Sequence, residues 1–248
     1  MQLQAIENHV VQRPGTVNGI TKHYIPDTQK QAFWDAFYHA FTSTFKLTEP
    51  IEGFTEKINP YFGYFGFRWH PINFRPAYYH IGIDISETPG TAITTVYPGT
   101  LEYSGFANVN GNYIIVKHPE ITTADGYMLQ SLYMHCETLE VSFNLFQKIS
   151  REYLSKNLAL SNITIAQAQQ IATVGTTGNN LGVVPHLHLQ FEFVKATKHI
   201  AINPLKLYNQ PIQQNLTAEI ITEAGFKEFY QDKAEELQPW KKFWVQKI

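Results

Sequence analysis

Polar and apolar residues alternate without a break over His186-Leu187-His188-Leu189-Gln190-Phe191-Glu192-Phe193. A period of two over this length marks a β-strand with one face in the core. Leu187, Leu189, Phe191 and Phe193 are therefore expected inside, with His186 and His188 side by side on the other face. His80-Ile81-Gly82-Ile83-Asp84-Ile85 alternates in the same way. Between about Tyr61 and Phe193, apolar or β-branched runs are broken at Pro89-Gly90, Pro98-Gly99, Asn110-Gly111 and Asp125-Gly126, all turn dipeptides. That spacing predicts an antiparallel sheet of short strands. Helical periodicity appears in three places. Asp27, after Pro26, is a good N-cap, and Phe33, Phe37, Phe41 and Phe45 with Ala36 and Ala40 predict an amphipathic helix over about 27–46. Leu139, Phe143, Phe146, Ile149 and Tyr153 predict a helical insertion at 139–158, and the tail after Asn215 reads helical with breaks at Gly225 and Pro239.

The expected architecture is a mainly β core with helical N-terminal, inserted and C-terminal segments, α+β overall. Residues 1–57 form an N-terminal extension whose first 25 residues carry no period and are expected to wrap or extend. Residues 58–207 form the core domain, and 208–248 a helical tail. No internal repeat is visible.

Composition narrows the function classes. The chain has 248 residues, 44% hydrophobic and 14% aromatic, enough to bury a sizeable core. Its 19 basic and 21 acidic residues give a net charge of −2, with no electrostatic footprint for nucleic acid. No apolar run approaches the roughly 18 residues of a membrane span. The start, Met1 to His9, lacks the basic residues and apolar stretch of a secretory signal. A single cysteine, Cys136, excludes an intrachain disulfide framework. Neither compartment nor oligomeric state follows from these features.

The chemistry concentrates in five residues: His80, Asp84, His135, His186 and His188. Three could hold a divalent cation while two remain to act on a bound water, a pattern that points to a zinc hydrolase. In a straight strand His80 and Asp84 would stand roughly 13 Å apart. Gly82 between them allows a bend and removes a side chain from the gap. Strand alternation over Tyr127–His135 places Tyr133 with His135 and turns Cys136 away, which disfavours a Cys136–His135 dyad. An isolated histidine is more often structural, and His9, His23, His39, His70, His118 and His199 are read that way.

At these residues the chain resembles the LytM/lysostaphin-type zinc metallopeptidases. Phe65-Gly66-Phe67-Arg68-Trp69-His70-Pro71-Ile72 resembles their Gly-x-Arg-x-His-Pro entry strand, and His80 to Asp84 their His-x-Gly-x-Asp motif. Tyr133-Met134-His135 resembles their Tyr-x-His element. Val174-Gly175-Thr176-Thr177-Gly178 running into Pro185-His186-Leu187-His188, and the closing Asn203-Pro204, match the remaining elements. The resemblance covers about residues 58–207. It departs from the family at Ala168 and Ala172, where glycines are usual, and in the longer segment after His135.

The resemblance implies a compact antiparallel β peptidase domain that hydrolyses peptide bonds of bacterial peptidoglycan stems or cross-links, in the periplasm or outside the cell. It implies one Zn2+ per chain, ligated by His80, Asp84 and His188, with His135 and His186 as the catalytic pair. Arg68, Asn112 and Tyr133 are candidate substrate-binding residues, each with an ordinary structural alternative. Three rivals stand beside this reading. One is a catalytically silent wall-binding or activator module, another a latent enzyme whose groove is covered by residues 1–57 or the insertion. The third is an amidase on the same ligand set.

Overall fold

The computed structural model describes residues 2–13, 22–58, 63–69, 76–139, 163–178 and 184–211. In chain order they form β1 (Val10–Gln12), β2 (Lys22–Pro26), α1 (Gln31–Thr44), β3 (Gly66–Trp69), β4 (Pro76–His80), β5 (Ile83–Ser86) and β6 (Ala92–Thr94). There follow β7 (Gly99–Ala107), β8 (Gly111–Thr122), β9 (Met128–Leu139), β10 (Thr164–Ile165), β11 (Gln170–Val174), β12 (His186–Lys195), β13 (Lys198–Ile202) and a short α2 (Pro204–Leu207). The expected insertion at 139–158, apart from Leu139 at the end of β9, and the expected tail after Asn215 fall outside the described residues. No helix among the described residues is long and apolar enough to cross a membrane.

Mainly β architecture follows from the alternating runs. One large sheet of eleven strands takes the path β1-β2-β13-β12-β9-β8-β7-β10, with β5, β6 and β11 joined to it at the sides. β3 and β4 form a separate antiparallel pair. The turn dipeptides close the hairpins: Asn110-Gly111 links β7 to β8, and Asp125-Gly126 links β8 to β9. Two features differ from the expected short antiparallel strands. β8 and β9 run for twelve residues each, and β2 pairs in parallel with β13. The aperiodic N-terminal segment thus adds β1 and β2 to one end of the same sheet, with β1 outermost.

The alternation in β12 builds the core. Leu187, Leu189, Phe191 and Phe193 are all fully buried. Leu187 and Leu189 stand opposite Ile85 and Ile83 of β5, so those isoleucines share the core face and Asp84 falls on the other. Helix α1 covers this core face. Its buried residues are Trp34, Phe37, Tyr38 and Phe41, and Phe37 meets Phe193 edge-on with ring centroids 5.6 Å apart. The expected ladder of phenylalanines every four residues is only partly inside: Phe33 is half-buried and Ala36 exposed. Four residues advance about 40° beyond a full turn, so a strict four-residue ladder drifts off one face. Burial follows the i, i+3, i+4, i+7 stripe. α1 docks on the side of β12 opposite to His186 and His188. The expected N-cap Asp27 instead caps the 3-10 turn Thr28–Lys30 just before α1, its carboxylate accepting from the Gln29 N–H, and α1 itself starts at Gln31 without a side-chain cap.

Candidate metal centre

Three strands bring His80, Asp84 and His188 together. His188 and Asp84 are directly opposite each other in the β5–β12 register, which places both side chains on the non-core face. His80 ends β4 in the small sheet, and the chain breaks at Ile81-Gly82 before β5 begins. That break is the bend a shared site requires. A Cβ on Gly82 would lie 2.5 Å from the Leu189 carbonyl oxygen and 2.6 Å from His188 Nε2, so only glycine lets the bend close onto the His188 ring.

The facing atoms are tightly grouped. His80 Nε2 lies 3.1 Å and His188 Nδ1 2.8 Å from Asp84 Oδ1, and the two nitrogens are 3.0 Å apart. Among the described residues this trio is the group of histidine, cysteine and acidic side chains with ligand atoms close enough to share an ion. All three residues are buried. Their outer atoms fix the tautomers: His80 Nδ1 donates to the Tyr64 carbonyl at 3.0 Å, and His188 Nε2 faces Gln190 Oε1 at 3.3 Å. Two imidazole lone pairs and a carboxylate therefore point at one another. A cation between them would satisfy all three groups at once. Zinc ligands at about 2.0–2.1 Å in tetrahedral array stand about 3.3 Å apart, a few tenths more than the separations here. The donor set fits a zinc ion.

His135 and His186 border this trio. His135 lies in β9, where alternation would send it to the core with Tyr133. Instead its backbone is left-handed, at φ 64°, which turns the ring to the cluster, 5.2 Å from the His186 ring and 6.2 Å from that of His188. The bend is held from three sides. The His135 N–H donates to Asn110 O, and its Nδ1 donates to Thr177 O at 3.0 Å. The Asn112 amide donates to the carbonyls of Cys136 and Glu137. His186 is fixed similarly, with Nδ1 donating to Val184 O at 2.8 Å and Nε2 3.7 Å from Asp84 Oδ1. Burial first, then the neighbouring His186 and His188, push the His135 imidazolium pKa down to about 3, against the opposing effects of Thr177 and Asp84.

The remaining candidates divide. Asn112, half-buried, braces the backbone after His135 rather than standing among the histidines. Tyr133 does not share the His135 face: it is fully buried in the core, its hydroxyl accepting from the Val96 N–H and 3.1 Å from Ser131 Oγ. Arg68 stands opposite Tyr78 in the β3–β4 register, and its side chain is outside the described residues. Cys136 is fully buried with its thiol pKa pushed up to about 12 by burial, which leaves it unsuited to nucleophilic work. Two polar residues went unremarked in the sequence. Gln190 and Glu192 project on the histidine face of β12 and are buried, and their place in the alternation of 186–193 is the signal that reveals them.

Residues 78–204, just over half of the chain, match the model of peptidase family M23. The chain belongs to that family. Among curated proteins it is similar to the peptidoglycan DD-endopeptidase ShyC of Vibrio cholerae, with 29% identity over 112 residues. That stretch is 45% of this chain and 20% of the relative, so the match spans about a fifth of the relative's length. Among solved structures, Helicobacter pylori Csd3 aligns with 21% identity and a TM-score of 0.41, covering 79% of this chain and 43% of that one. The antimicrobial peptidase lysostaphin from Staphylococcus simulans aligns with 20% identity and a TM-score of 0.38, covering 68% and 52%.

Proposed function

We propose that the chain is a zinc-dependent endopeptidase acting on peptide bonds of bacterial peptidoglycan, and therefore at the cell envelope or outside the cell. The observation that carries this reading is the convergence of His80 Nε2, Asp84 Oδ1 and His188 Nδ1 beside two further histidines. Family membership and the similarity to a peptidoglycan DD-endopeptidase support the substrate class. Those three atoms would hold one zinc, which when bound supplies Lewis acidity and a water acidified towards neutral pH.

The rest of the chemistry belongs to the chain's own side chains. His135 and His186 each commit Nδ1–H to a backbone carbonyl, so each presents an Nε2 lone pair able to take a proton. Their rings stand 5.2 Å apart, as a pair that can receive the proton of the attacking water and return one to the leaving amine. Backbone carbonyls hold both rings without adding a competing charge. Burial of His135 keeps its ring neutral, so the Nε2 lone pair is not already protonated. Asn112 and Thr177 keep the strand bend that aims it.

The test is mass spectrometry of purified peptidoglycan after digestion, beside a sample treated with chelator. Release of peptides that chelator abolishes and zinc restores is expected, and the new termini identify the bond. Release unaffected by chelator, or no release by zinc-loaded protein, contradicts the proposal.

A further inference from the structure

Below the metal centre, β12 carries a buried polar chain that the reaction itself does not use. Glu192 is 1% and Gln190 3% exposed, both on the same strand face as His188. Glu192 Oε1 accepts from Gln190 Nε2 at 2.6 Å. Its Oε2 accepts from Gln130 Nε2 at 2.9 Å and from His199 Nδ1 at 2.7 Å. His23 Nδ1 lies 3.4 Å from Oε1. These partners come from β9, β13 and the N-terminal β2, so the carboxylate is anchored by three strands besides its own. Burial alone would push the Glu192 carboxyl up, but the hydrogen bonds and charge of His199 and His23 outweigh it and hold the group down to about 2.

A buried carboxylate accepts and never donates. Gln190 must therefore turn its NH2 towards Glu192, which leaves Oε1 pointing at His188. An amide oxygen also only accepts, so His188 must carry its proton on Nε2, 3.3 Å away. The lone pair then falls on Nδ1, the atom 2.8 Å from Asp84 and 3.0 Å from His80 Nε2. Each link in this chain has one possible polarity.

We propose that Gln190, oriented by Glu192, is a positioning residue that selects the Nδ1-acceptor tautomer of His188 and so sets the affinity of the centre for zinc. The inference rests on the reading of His188 as a ligand. It also ties the N-terminal strand to the metal centre, since His23 and His199 hold the far end of the chain.

Two variants of the full chain separate this role from simple packing. Gln190→Met matches the shape and removes both hydrogen bonds. Gln190→Glu keeps an acceptor for His188 Nε2 and can share one proton with Glu192. Zinc affinity, measured by competition with a chromogenic chelator, is expected to fall about 10- to 100-fold in Gln190→Met, the usual cost of losing an outer partner of a ligand histidine. Gln190→Glu is expected to bind zinc at least as tightly as Gln190 itself. Melting of the metal-free proteins checks that both variants fold, and a packing role predicts the reverse order, with the glutamate variant impaired and the methionine variant normal. Equal affinity in all three proteins, or that reverse order, overturns the proposal while leaving the metal centre in place. If the parent protein binds no zinc, the ligand reading itself fails, and His188→Ala serves as the matching control.

Discussion

Gly82→Ala is a one-methyl perturbation whose consequence can be worked from distances. The added Cβ would lie 2.5 Å from the Leu189 carbonyl oxygen, 2.6 Å from His188 Nε2 and 2.8 Å from its Cε1. Non-bonded heavy atoms rest at roughly 3.5 Å, so about 1 Å of separation must be found. The Leu189 carbonyl belongs to the central strand and is fixed by its neighbours. The yielding parts are the His188 ring and the Ile81-Gly82 break. Metal sites tolerate departures of about 0.2 Å in ligand distance, several times less than the required shift. Zinc affinity is therefore expected to fall on the order of 100-fold. Overpacking of this kind costs about 1–3 kcal/mol, and about 2 kcal/mol corresponds to a drop of about 4–8 °C in Tm for a chain of this size. The assay is zinc competition with a chelator, with calorimetry of the metal-free protein alongside. A Gly82→Ala protein that binds zinc like the parent would refute the packing of the break against His188 and the ligand geometry built on it.

Three further outcomes are expected. His135→Ala and His186→Ala should each retain zinc, checked by metal analysis, while peptidoglycan hydrolysis falls by about 10²- to 10⁴-fold, the range for loss of a proton-transfer group; activity near the parent level removes that residue from the mechanism. His118 is buried, its Nδ1 donating to Pro98 O and its Nε2 2.9 Å from Ser131 Oγ, and burial lowers its pKa from 6.5 to about 4. The unfolded chain then binds the extra proton between pH 6.5 and 4, so stability is full above that window and falls by about 3 kcal/mol on acidification through it. Urea unfolding of the metal-free protein at both ends should show this, with the drop reduced in His118→Gln; an equal drop in the variant rules His118 out as its source. Cys136, with its thiol near 12, should resist alkylation at pH 8 until the chain unfolds, and Cys136→Ala should keep its hydrolysis; rapid native alkylation or loss of activity would reopen thiol chemistry.

Alternation was the most legible feature of the sequence. It placed Leu187, Leu189, Ile83 and Ile85 in the core and left Asp84 facing His188, because period two is enforced wherever one sheet face is buried. It also required a bend at Gly82, which the break between β4 and β5 supplies. The same rule misplaces His135, whose left-handed backbone at φ 64° removes it from the Tyr133 face. Cys136 does point away from His135, yet through that kink and not through simple alternation. Trp34 and Tyr38 were masked by the more obvious phenylalanine ladder. Nor is the parallel pairing of β2 with β13 readable, since only three residues, Lys22, His23 and Tyr24, join a strand far away in sequence. Pairing across such a separation leaves no local pattern. The Gln190–Glu192 chain was visible as two polar positions on the histidine face, but its meaning depends on Gln130, His199 and His23 from other strands.

The central claim is that one zinc sits between His80, Asp84 and His188, leaving His135 and His186 for proton transfer. Anomalous diffraction at the zinc edge from crystals of the zinc-loaded protein tests it most directly. The account predicts one peak, about 2.0–2.2 Å from His80 Nε2, Asp84 Oδ1 and His188 Nδ1, with neither His135 nor His186 in contact. A peak ligated by His135 or His186 in place of one of the three, or no ordered zinc at the cluster, would contradict it.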